Sequence, residues 1–115
     1  MIIRFLRRFP PALAGVWYGV TRDLSFATQF FGGIVVNICL LVFASPLSSI
    51  ELLFLLLGWI LVLITELQNS AIEAALDQLH PERHEAIMRS KDMAAGAVLI
   101  AAVFFAVIVF TIVVT

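Results

Sequence analysis

Three stretches of the chain carry no charged residue: residues 24–50, 52–65 and 93–115. A helix needs about 20 apolar residues to cross a hydrocarbon core of about 30 Å, so the first and third stretches are long enough to span. The second rises only about 21 Å, so a second span must draw Glu66, and with it Asn69, to membrane depth. Between the first two, Ala44-Ser45-Pro46-Leu47-Ser48-Ser49 has the composition of a turn. Ahead of them, Leu13, Val16, Trp17 and Val20 fall at i, i+3, i+4 and i+7, the apolar stripe of an amphipathic helix. Pro11 suits the first position of that helix, where a missing N–H costs nothing. The pattern predicts an all-α integral membrane protein in one domain. It has a basic arm and surface helix over 1–22, transmembrane helices at 24–45, 50–78 and 93–115, and a cytoplasmic loop at 79–92.

Composition agrees with that class. Hydrophobic residues make up 63% of the chain and charged ones 13%, about half the charged share of a soluble domain. Once three helices are embedded, little chain is left for a soluble catalytic lobe, so any site must be built from the helices and their cytoplasmic ends. The single cysteine, Cys39, excludes an intrachain disulfide and reads as a small apolar core residue. The basic, apolar start is not read as a signal peptide, because the long apolar run begins only after Arg22-Asp23 and no small-residue cleavage pattern precedes it. Trp17 and Tyr18 supply interfacial aromatics, and the arm's arginines would lie near anionic headgroups. Gly15 and Gly19, four apart, offer a place where another helix could approach closely.

Charge distribution sets the orientation. Arg4, Arg7, Arg8 and Arg22 precede the first span, while Arg83, Arg89 and Lys91 lie between the second and third. None lies in the 44–49 turn or at the C-terminus. Because Lys and Arg stay on the cytoplasmic side of short connections, the N-terminus is expected inside a bacterial inner membrane and the C-terminus outside.

Residues 66–92 hold six of the eight carboxylates. On a helix at about 100° per residue, Glu66, Asn69, Ser70, Glu73 and Asp77 fall on one polar face roughly 100° wide. An ionised carboxylate at the bilayer centre costs on the order of 2.5–3.5 kcal/mol on the gentlest scale, so such a stripe needs compensation. A divalent cation, Lys91, Arg89 or polar partners from a second helix are the available means. Oxygen ligands suit magnesium, which is typically held by one or two carboxylates plus substrate phosphates. His80 and His84 are four apart, but Pro81 intervenes and no cysteine accompanies them, which disfavours zinc. The spacing alone leaves three readings open: a catalytic site, an ion or solute path, and a polar packing seam. The chain contains no G-x-x-x-x-G-K-[ST] and no H-R-D segment. Along the stripe, from Glu66 to Asp77, the helix rises about 16 Å, so a lipid alcohol could reach Glu66 from one side and a nucleotide phosphate Glu73 from the other.

The run Glu66-x-x-Asn69-Ser70-Ala71-Ile72-Glu73, followed by Asp77, His84-Glu85 and Lys91-Asp92-Met93, resembles the signature of the small prokaryotic diacylglycerol kinase family, which includes undecaprenol kinases. The resemblance implies a homotrimeric membrane kinase that uses MgATP, with sites formed between protomers. It implies that Glu66 is the general base for the lipid hydroxyl, that Asn69 and Ser70 orient substrate, and that Asp23 and Glu73 hold magnesium. Lys91 would meet nucleotide phosphates and Asp92 would fix Lys91 or the nucleotide, with Asp77, His84 and Glu85 beside the nucleotide. The implied partners are ATP, a membrane lipid alcohol and further copies of the chain, with no nucleic acid.

The match is weaker near the N-terminus. Asp23, three residues before Phe26, stands where the family usually has a Glu, one methylene longer. Ala27 and Gln29 stand where an Arg and an acidic residue or His are expected, and Pro10-Pro11 interrupts a helix the family usually continues. Diacylglycerol is the favoured acceptor; Ala94-Ala95-Gly96-Ala97 is similar to the undecaprenol kinase branch. A small transporter or assembly protein that kept the polar stripe is the reading from a different class, and it would show no ATP turnover.

Overall fold

The computed structural model describes residues 1–115 apart from Ser45 and Arg83. Every regular element among the described residues is an α-helix: α1 (Ile2–Leu6), α2 (Phe9–Arg22), α3 (Leu24–Phe43), α4 (Ser49–Leu79) and α5 (Glu85–Val114). Three of them, α3, α4 and α5, are long and apolar enough to cross a membrane. Of the basic residues expected to orient them, Arg83 lies outside the described residues, as does Ser45 of the expected turn.

Local chemistry accounts for the boundaries. Helix α2 starts at Phe9, two residues before the expected Pro11, and carries both prolines in its first turn, where the N–H groups they lack would have no intrahelical partner. Asp23 separates α2 from α3 in extended conformation, and its Oδ1 accepts a hydrogen bond from the Phe26 amide at 3.1 Å. That caps α3. Helix α4 opens with a reciprocal capping box: the Glu51 amide donates to Ser48 Oγ at 3.1 Å and the Ser48 amide donates to Glu51 Oε1 at 2.9 Å. Glu51 is therefore spent on the helix start. The connection expected over 79–92 is helical from Glu85 onward, because His84 Nδ1 accepts from the Ala86 amide at 3.2 Å and starts α5 there. Lys91 and Asp92 consequently sit on a helix rather than a loop.

The spans run up, down and up. Gly33 of α3 meets Trp59 of α4, whereas Leu40 of α3 clusters with Leu55 of α4 and with Ile108 and Ile112 of α5. Small residues permit the closest approaches, as expected where helices gain little from leaving lipid for one another. A Cβ on Gly33 would lie 1.9 Å from Trp59 Nε1, and one on Gly58 would lie 2.8 Å from Phe105 Cδ1. Trp59 Nε1 also donates to the Gln29 carbonyl at 3.2 Å. The tight cluster lies at the end of the bundle beside the 44–49 turn, remote from the α2–α3 corner. Cys39 is exposed, not in the core as its setting suggested. Helix α3 packs through Gly33, Asn37 and Leu40, at i, i+4 and i+7, and position 39 falls on another side.

The expected apolar stripe on α2 is largely exposed: Leu13, Val16 and Trp17 are all open, and with Val20 and Phe30 they line an apolar groove of about 510 Å3. No other described part of the chain covers it, which is the disposition of a helix lying against lipid. On its other side, α2 approaches α4 through Gly19, where a Cβ would lie 2.9 Å from Leu67 Cδ1 and from Phe26 Cδ1. Gly15 is different, with nothing within 4 Å of its Cβ position. One of the two glycines makes a helix contact, and the other borders a space.

Candidate functional site

Helix α4 would be about 46 Å long, well beyond a hydrocarbon core of about 30 Å. Its polar face begins at Glu66, the one carboxylate buried among the described residues, at 7% exposure. The Asp23 and Glu73 carboxylates both lie near enough to act on it electrostatically. A junction between two helices and a residue seven positions along α4 thus converge on one buried acid. Like charges so placed repel, and a bound cation would relieve that repulsion.

The stripe does not face a single groove. Ser70, with Asp23 and Arg22, lines a cavity of about 500 Å3 between α2, the start of α3 and α4. The small side chains of Gly15, Ala71 and Ala74 border this space and leave it open. Asp77, with His80, His84 and Lys91, lines a second hollow of about 230 Å3 where α4 and α5 leave the bundle. Lys91 and Asp77 form an ion pair across the two helices. Glu85 pairs instead with Arg89 at 2.8 Å, an exposed i, i+4 pair of the kind that contributes little. Glu73 is exposed, Asn69 is partly buried with its Oδ1 unpartnered in the protomer, and Asp92 is exposed. Two groups thus emerge among the residues read from the sequence, Asp23, Glu66, Ser70 and Glu73 on the side of the α2–α3 junction, and Asp77, His84 and Lys91 where α4 and α5 leave the bundle, while Asn69, Glu85 and Asp92 line neither space.

Two polar side chains lie in this framework without having been singled out by the sequence pattern. Arg22 lines the larger cavity; its place beside Asp23 was the available signal, obscured because a basic residue ahead of a span already serves orientation. Asn37 is buried in the middle of α3 at 7% exposure, its Nδ2 donating to the Gly33 carbonyl at 2.7 Å and its Oδ1 unpartnered. An amide inside an otherwise apolar span is itself a signal.

No group of three His, Cys, Asp or Glu side chains is placed to hold a metal among the described residues. The donors at the membrane-side group nevertheless fit magnesium, which needs only one or two carboxylates when substrate phosphates complete its shell. Asp23 Oδ1 is committed to the α3 cap, so the second oxygen of Asp23 and the exposed Glu73 carboxylate are the ligands on offer.

Known proteins resemble this chain over most of its length. Residues 11–113 match the prokaryotic diacylglycerol kinase family. The chain belongs to that family. It is 35% identical over 107 residues to an undecaprenol kinase of Bacillus subtilis, covering 91% of this chain and 84% of that protein. It is 46% identical over 54 residues to the diacylglycerol kinase of Escherichia coli K12, covering 47% of this chain and 44% of that one. A diacylglycerol kinase of Synechocystis is 38% identical over 96 residues, or 83% of this chain and 54% of that relative. Membership in a lipid kinase family and three apolar helices make this a multi-pass membrane protein.

Proposed function

We propose that the protein transfers the γ-phosphoryl group of MgATP to the hydroxyl of a membrane lipid, diacylglycerol first among the acceptors. One observation supports the reading: Glu66 is buried at the start of a polar helix face, close enough to Asp23 and Glu73 to feel their charge, and Asp23 and Ser70 line an open cavity one turn further along α4. Phosphoryl transfer asks a protein mainly for positioning, charge neutralisation and a group that accepts the hydroxyl proton. Glu66 serves as that base, Asn69 and Ser70 orient the lipid, and Asp23 and Glu73 hold the magnesium that would neutralise the phosphates. Lys91 and Asp92, with Asp77, His84 and Glu85 nearby, receive the nucleotide from the aqueous side. The working unit is a homotrimer in a bacterial inner membrane, its sites shared between protomers and its N-terminus cytoplasmic.

Undecaprenol is the second reading, favoured by the extent of the likeness to the Bacillus subtilis kinase, which spans most of both chains. Transfer of labelled γ-phosphate from MgATP to diacylglycerol and to undecaprenol, side by side in detergent micelles with Glu66→Gln as blank, tests both. Phosphatidic acid as the faster product supports the first reading, undecaprenyl phosphate the second. No product from a well-folded oligomer overturns the kinase reading.

A further inference from the structure

We infer that Arg22 binds a phosphoryl group in the cavity it shares with Asp23 and Ser70, an inference that rests on the kinase reading for its choice of ligand. The chain has no other Lys or Arg between residues 9 and 82. Whatever phosphate enters between α2, α3 and α4 therefore meets Arg22 or no side-chain cation from these elements. Of the described cations from residue 22 onward, Arg89 is paired with Glu85 and Lys91 with Asp77, whereas Arg22 forms no ion pair among the described residues. Its guanidinium is left with the fork of donors that suits phosphate oxygens.

The space is built to admit such a group. It measures about 500 Å3, and the missing Cβ of Gly15 faces nothing within 4 Å. Ser70 adds a hydroxyl donor on the opposite wall, and Asp23 stands beside Arg22 on the same corner. A phosphate there would lie on the flank of α4 that carries Ser70, one turn beyond Glu66, between the buried carboxylate and water. The shared chemistry is a phosphate ester, and it has two sources: the nucleotide polyphosphate and the phosphate of a phosphorylated lipid.

The test uses the full chain in neutral detergent, with Arg22→Ala, Arg22→Lys and Arg8→Ala as variants. Equilibrium binding is measured for a non-hydrolysable MgATP analogue and, separately, for short-chain phosphatidic acid, alongside KM and kcat for transfer. Arg22→Ala is expected to weaken one of the two ligands about tenfold, the loss of one charge-assisted contact, with kcat changed less than KM. Arg22→Lys should recover part of the affinity, and Arg8→Ala, out on the arm, should show none of the loss. A loss confined to the analogue assigns the site to nucleotide, and one confined to phosphatidic acid assigns it to the lipid phosphate. Unchanged binding of both ligands overturns the inference. So does an Arg22→Lys variant as weak as Arg22→Ala, which would make Arg22 structural. If Arg22→Ala does not fold, Arg22→Lys and Arg22→Gln decide by the same comparison. Absence of transfer by the unaltered protein would overturn the kinase reading, while the binding comparison still judges Arg22.

Discussion

At the scale of single residues, the positions of Glu66 and Glu73 set distinct expectations. Glu66 is buried and Glu73 exposed on the same helix face, which accords with the proposed roles of base toward the lipid for the first and magnesium ligand for the second. Glu66→Gln keeps shape and hydrogen bonding but removes the proton acceptor. Turnover should fall by at least about 100-fold, the lower end of what general base catalysis contributes, with the oligomer intact by size-exclusion chromatography. Substantial residual transfer would remove Glu66 from the role of base. Glu73→Gln should instead raise the magnesium concentration for half-maximal activity at least about tenfold. A magnesium titration that superimposes on the parent's would assign the metal elsewhere. Asn69 Oδ1, unpartnered within the protomer, is suited to receive a hydrogen bond from a second copy, since the single proton of the lipid hydroxyl is the one Glu66 takes.

At the scale of elements, glycine contacts decide how α3 and α4 meet. Gly33→Ala would set a methyl group 1.9 Å from Trp59 Nε1, forcing the indole away and breaking its hydrogen bond to the Gln29 carbonyl. Overpacking of this kind costs typically about 1–3 kcal/mol. Thermal unfolding in detergent should drop accordingly for Gly33→Ala and stay near the parent for Gly15→Ala, whose new methyl meets open space. Equal stability of the two variants would contradict this packing. The first and third spans were legible in the sequence, because a charge-free run of about 20 residues or more fits a membrane span and little else; the second was legible only by carrying its short run on through Glu66, and the surface helix by its apolar stripe at i, i+3, i+4 and i+7. Less legible was the onset of α5. The capping role of His84 depends on a backbone turn that neither Pro81 nor the charges of 82–92 announce, so Lys91 and Asp92 looked like loop residues. The splitting of the polar stripe was equally hidden. Helical angles place Ser70 and Asp77 only about 20° apart, yet Ser70 faces α2 and Asp77 pairs with α5, since the neighbours of α4 change along its length.

At the scale of the whole molecule, one protomer leaves its site in two parts. Lys91 is paired with Asp77 of its own chain, and Asp77 lies eleven positions beyond Glu66, a rise of about 16 Å along α4. A phosphoryl group in flight spans a few ångströms, so the lysine of this pair does not serve the Glu66 of the same chain without rearrangement. In the proposed homotrimer a second protomer would bring its Lys91 to the exposed Glu73 face. The consequence is a complementation test. Glu66→Gln and Lys91→Ala proteins, each first assayed alone and expected to be impaired, are unfolded, mixed in equal amounts and refolded together in detergent. If Glu66 and Lys91 of one site come from different chains, a random mixture restores about a quarter of the sites, because each site then draws an intact Glu66 and an intact Lys91 with even odds. If both come from one chain, every site retains one defect and no activity returns. Recovery near a quarter of the parent's rate would establish the shared site, and an inactive mixture with properly assembled oligomers would return Lys91 to its own protomer's nucleotide pocket.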